Sequence, residues 1–73
     1  MSSLVALGER AQVDVFALAG VPAIVADTAA DARAAWTALE SDVAVVILSA
    51  AAHEAIADLL PSRPDVIWTT IPD

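Results

Sequence analysis

The residues of this chain that could do chemistry are few: Gly8-Glu9-Arg10 near the start, and Ser49 with His53 four positions on. A glycine turn ahead of a helix can cradle a phosphate, because backbone N–H groups then approach the anion closely. Here a single glycine is followed by Glu9, whose carboxylate would repel phosphate. Aspartyl phosphorylation needs an acidic pair, an acceptor aspartate and a lysine that holds the phosphoryl group. Glu9 alone stands where the pair would be, Ser49 stands where the acceptor would be, and the chain has no lysine. Ser49 and His53 fall at i and i+4, a spacing that lets side chains meet on a helix. Without a nucleophile elbow or oxyanion glycines, His53 reads as an ordinary surface histidine. It is the only histidine, no carboxylate cluster surrounds it, and there is no cysteine. No catalytic, cofactor-binding or metal-binding residue is expected, and the chain reads as a non-enzyme.

The elements that would position these residues follow from hydrophobic spacing. Leu4 to Leu7 is a short apolar run ended by Gly8, as for a buried strand entering a turn. Helix follows from Glu9, with Val13, Phe16, Ala17 and Gly20 at i, i+3, i+4 and i+7 as its inward face. Gly20 is placed to stop that helix in the left-handed conformation. Val15 and Leu18 lie off the inward face, where they meet a second layer or remain exposed.

Ala23-Ile24-Val25 is a second strand, and Thr28 with Asp31 three residues on resembles a capping box. The helix it opens is expected from about Ala29 to Glu40, burying Ala32, Ala35, Trp36 and Leu39. Val43 to Leu48 is apolar throughout and mostly β-branched, which predicts a central parallel strand covered on both faces. Ser49 caps a third helix, Ala50 to Leu60, with Ala52, Ile56, Leu59 and Leu60 inside. Pro61 and Pro64 bracket a loop. Val66 to Ile71 is a more polar edge strand stopped by Pro72, on which Trp68 is either core filler or an interface anchor.

The order β-α-β-α-β-α-β, with short right-handed crossovers, predicts a half-sized doubly wound sheet. The fold class is α/β: a three-layer, Rossmann-like (flavodoxin-like half) single domain over residues 1–73, strand order 2-1-3-4. Ligands of such folds bind beyond the carboxyl ends of the strands, here between Gly8-Glu9-Arg10 and Ser49-Ala50.

Composition narrows the function further. Ten acids against Arg10, Arg33 and Arg63 leave a net charge of −7. That disfavours nucleic acid and anionic membrane surfaces, which require clustered cations. Hydrophobic residues make up 59%, yet no apolar run reaches the roughly 18–20 residues of a membrane span. The start, Met1-Ser2-Ser3, carries no signal-peptide pattern, so a cytoplasmic location is expected. A chain of 73 residues buries only about 60% of its unfolded surface, so its stability is marginal. Val15, Leu18 and Trp68 outside such a small core would leave an apolar patch of the kind that marks protein contacts.

Taken in order, these segments resemble the F subunit of the V-type and archaeal-type (V/A) rotary ATPases. The resemblance runs through Leu4 to Glu9, then Val13, Phe16 and Leu18 to Val21. It continues through Asp27, the alanine-rich run Ala29 to Arg33, Asp42 to Leu48, and Pro64 to Ile67 with the closing Ile71-Pro72. Gly8, Phe16, Gly20 and Pro72 are the signature positions. The likeness covers essentially the whole chain, and its specificity lies in the order and spacing of motifs that are weak singly. The resemblance implies a non-catalytic central-stalk protein that packs on the coiled coil of the D subunit within the catalytic A/B hexamer. Such a protein serves ATP synthesis and ion or proton transport, and is peripheral to the membrane through the complex. Val15 stands where the family commonly has glycine, and Ala17 where it often has arginine. The family also continues past the Ile-Pro with a C-terminal helix, whereas this sequence stops at Asp73. The expectation is a short form lacking that helix, either natural or truncated, and the regulatory role of the helix is not carried over to this chain. The competing expectation is a degenerate receiver-like or small-molecule-binding α/β domain.

Overall fold

The computed structural model describes residues 3–71. Four strands, β1 (Ser3–Gly8), β2 (Ala23–Val25), β3 (Val43–Leu48) and β4 (Ile67–Thr70), alternate with three helices. The helices are α1 (Arg10–Leu18), α2 (Ala29–Thr37) and α3 (Ala50–Ile56), and a single 3-10 turn, Leu60–Ser62, precedes β4. All strand pairs are parallel and the spatial order is β2-β1-β3-β4, as the apolar β3 run predicts.

Strand order decides which face each helix covers. The step from β1 to β2 runs in one direction along the sheet, while the steps from β2 to β3 and β3 to β4 run in the other. Right-handed crossovers therefore place α1 on one face and both α2 and α3 on the opposite face. Packing agrees: α1 lies on β1 and β2, whereas α2 and α3 pack on each other and over the central strands. The main core forms between α2, α3 and the sheet, joining Val5, Leu7, Val46 and Leu48 to Ala32, Trp36, Ala52 and Ile56. Ala6 and Val13 are fully buried outside that cluster, between β1 and α1.

The register of β1 on β3 contains one irregularity. Ser3 pairs with Val43 and Leu4 with Val45, leaving Ala44 as the extra residue. A one-residue bulge reverses the alternation of side chains. It thereby brings Val43 onto the core face together with Val46 and Leu48.

The helix ends follow local chemistry. Thr28 Oγ1 accepts from the Asp31 N–H at 3.1 Å and Ser49 Oγ from the Ala52 N–H at 3.1 Å, as their N-cap positions require. After α1, Gly20 adopts φ 89°. The Val21 N–H reaches back to Phe16 O at 2.9 Å and the Gly20 N–H to Ala17 O at 3.1 Å. This pair of bonds is a Schellman motif, the reason a glycine ends this helix.

Four expectations need correction. The inward face of α1 contains Val13 and a half-buried Phe16, but Ala17 and Gly20 are exposed. Beneath them β2 offers only three residues, so the last turn has little sheet to pack on. α2 ends at Thr37 rather than Glu40, although Leu39 beyond it remains buried. α3 ends at Ile56 rather than Leu60: the Leu59 N–H turns to Ile56 O at 2.7 Å, a 3-10-type bond, and Pro61, without an N–H, follows in the 3-10 turn Leu60–Ser62. The final strand is shorter than read, Ile67–Thr70, and Pro72 lies outside the described residues.

Candidate functional site

The carboxyl ends of the strands bring the chemistry-bearing residues together, and their own side chains occupy the crevice. Gly8, at the end of β1, lies directly against Ser49, at the end of β3. The Ser49 hydroxyl donates to the Glu9 carboxylate while accepting from the Ala52 N–H, so both its capacities are used within the chain. Ser49 is 1% exposed, and its hydroxyl is directed at these partners rather than at His53. The N–H of Arg10, the first residue of α1, donates to Asp27 Oδ1 at 3.0 Å. An anion would seek that helix N-terminus for its free N–H groups and its positive dipole end. The chain supplies a carboxylate of its own there. What remains beside it is a hollow of about 110 Å³ between Glu9, Asp27, Thr28 and the alanines 26, 32 and 52.

A larger hollow, about 340 Å³, opens at the other end of the sheet. It is lined by Val5, Ile24, Ala35, Leu39 and Val43, with Glu40 and Asp42 at its rim. Sequence reading did not identify it. Its lining comes from β1, β2, β3 and α2, which meet only in the folded chain.

The residues expected at a partner surface are all exposed. Val15 is 61% exposed and Leu18 88%. Both lie on the side of α1 turned away from the sheet, about 140–160° around the helix from the buried Val13. Trp68 is 41% exposed and pairs in register with Val46, so it belongs to the α2/α3 face. There its ring stacks on His53, centroids 4.9 Å apart and 28° from parallel. Val15 and Leu18 are thus on one side of the sheet and Trp68 on the other, and the three do not form one continuous surface.

A second apolar group escaped sequence reading. Leu4, Val45 and Ile67 lie side by side on β1, β3 and β4, and Ile47 adjoins them. Ile67 is 69% exposed and Leu4 38%. They belong to the α1 face, where α1 covers only β1 and β2. The signal that could have found them is the strand order itself, which puts a single helix on that face.

Two of the three arginines are engaged on the opposite side. Arg33, on α2, forms a two-pronged pair with Asp58 at 2.7 and 3.2 Å and also donates to Ala55 O. The guanidinium hydrogen bonds hold the Asp58 carboxyl below its ordinary range, and the same bonds raise Arg33 further. Arg63 donates to the carbonyls of Leu39 and Glu40 just beyond the end of α2. Among the described residues no cluster of three or more His, Cys, Asp or Glu side chains could hold a metal ion, and no helix is long and apolar enough to cross a membrane.

Fold and site together define a class: a three-layer parallel α/β domain whose ligand crevice is filled by its own side chains. No family model, curated protein or solved structure matches the chain.

Proposed function

We propose that this chain is a non-catalytic protein-binding module, and specifically a central-stalk (rotor) component of a V/A-type rotary ATPase docked on the coiled coil of the D subunit. One observation carries the binding half of this reading. The crevice where this fold takes small ligands is occupied by the Glu9–Ser49 bond and the Gly8–Ser49 contact, while Val15, Leu18, Ile67 and Trp68 stay outside the core. A large apolar exposure on so small a domain is the feature expected of a piece of a larger assembly. The rotary-stalk half rests on the order and spacing of the motifs from Leu4 to Ile71-Pro72. On this reading the chain turns with its coiled-coil partner inside the A/B hexamer, which alone handles ATP, and it takes part in ion transport without entering the membrane.

Co-expression with the D subunit of the same organism tests it. A stoichiometric complex that survives size-exclusion chromatography is the expected result, and its absence would sink the stalk reading.

The second reading, a small-molecule-binding or receiver-like domain, draws support from the hollow of about 340 Å³. That hollow lies at the amino ends of the strands, away from where doubly wound folds take ligands. A rise in melting temperature on adding a nucleotide or acetyl phosphate would favour this reading.

A further inference from the structure

The strand order leaves half of one sheet face without a helix. Neighbouring strands lie about 4.8 Å apart and a helix with side chains is about 10 Å wide, so one helix covers about two strands. On the α1 face, α1 covers β1 and β2. Among the described residues no helix covers the strip over β3 and β4, which is one helix wide and holds the half-buried Val45 and Ile47 and the exposed Ile67, with Leu4 at its border.

Charge states what kind of helix fits. Asp42 and Asp65, both exposed, precede β3 and β4 at one end of the strip. Of the three arginines that offset ten acids, Arg33 is held by Asp58, Arg63 by the carbonyls of Leu39 and Glu40, and Arg10 opens α1 at the other, carboxyl end of the strands. A second copy would bring another net charge of −7 to an acidic surface, which like-charge repulsion opposes. A basic partner is attracted to the same surface.

We infer that the β3–β4 strip of the α1 face is the docking surface for a basic amphipathic helix of a partner protein. Its apolar stripe covers Leu4, Val45, Ile47 and Ile67, and its Lys or Arg residues reach Asp42 and Asp65. This rests on the protein-binding reading of the domain and names the face and the chemistry of what binds there. A helix of about 14 residues matches the roughly 20 Å length of β3.

The test is titration of the ¹⁵N-labelled chain with a synthetic Leu/Lys amphipathic peptide of about 20 residues, long enough to hold helix. The same peptide with Glu for Lys is the control. Expected are shifts of the Leu4, Val45, Ile47 and Ile67 amides, binding that weakens with salt, and no response to the Leu/Glu peptide. Ile67→Gln, at an exposed position, should weaken binding about tenfold while Ala34→Gln, exposed on α2 across the sheet, leaves it unchanged. Leu4→Gln serves as the second variant if Ile67→Gln does not fold. Equal binding of the Leu/Glu peptide, no binding at all, or shifts confined to Val15–Leu18 or Trp68 would overturn the inference. So would sedimentation as a dimer that Ile67→Gln dissociates, since a second copy would then be the occupant. The stalk reading fails separately: if the Leu/Lys peptide binds but the coiled-coil protein does not co-purify, the docking face stands alone. If that protein co-purifies with Ile67→Gln and is lost with Leu18→Gln, the stalk reading stands and this face is wrong.

Discussion

Gly8 and Ser49 meet where β1 and β3 end. A Cβ built on Gly8 would lie 2.6 Å from the Ser49 Cβ and 3.3 Å from its backbone nitrogen. That nitrogen is itself fixed, donating to Leu7 O at 3.1 Å. The closeness of the two residues is what allows Ser49 to reach Glu9 and seal the crevice.

Gly8→Ala should therefore destabilise the domain by about 1–3 kcal/mol through overpacking, read by urea unfolding. Adding Ser49→Gly should recover part of that loss, although it also removes the cap on α3, so the double-mutant cycle gives a favourable coupling. Gly20→Ala offers a contrast. Nothing lies within 4 Å of a Cβ there, so its cost of about 1–2 kcal/mol comes from the left-handed backbone alone and no neighbour's truncation rescues it.

Asp27 acts as a cap for a helix seventeen positions before it, accepting from the Arg10 N–H. Asp27→Ala should cost about 0.5–2 kcal/mol, as loss of an adjacent cap does. Asp27→Asn should cost less, because its amide oxygen still accepts. Hydrogen exchange at Arg10 checks the assignment, since its amide should lose protection in Asp27→Ala.

The two tryptophans should separate cleanly. Trp36 is 1% exposed, and its indole N–H donates to Leu59 O at 3.1 Å. Trp36→Ala should cost about 3–5 kcal/mol, enough to unfold a domain of this size at room temperature. Trp68→Ala loses a partly exposed stack on His53 and should cost about 0.5–1.5 kcal/mol. Acrylamide should quench the fluorescence of a Trp36→Phe protein, where only Trp68 emits, and barely touch that of Trp68→Phe.

Asp58 links stability to pH. Its carboxyl titrates below its ordinary range because Arg33 stabilises the charged form. A depressed folded value means that the contribution is present above the unfolded value, about pH 4, and is lost as pH falls through the folded one. Asp58→Asn should thus be slightly less stable than the parent at pH 7, and the difference should vanish in strong acid. Both side chains are largely exposed, so added salt should shrink it as well.

The elements, their parallel order and the local caps are legible along the chain. Apolar period, β-branching in Val43–Leu48, Gly20 and the hydroxyls of Thr28 and Ser49 act within a few residues of themselves, so no distant segment is needed to read them. The rest is set by the folded arrangement. Asp27 caps Arg10, Glu9 meets Ser49, and Leu4 adjoins Val45 and Ile67 only because the sheet brings distant segments side by side. The extent of α1 burial was not legible either, since periodicity says which side of a helix is apolar but not how much sheet lies under it. Val15 and Leu18 were visible as residues off that side. That they and Trp68 lie on opposite sides of the sheet follows from handed crossovers acting on the 2-1-3-4 order, a property of the whole fold and of no single segment.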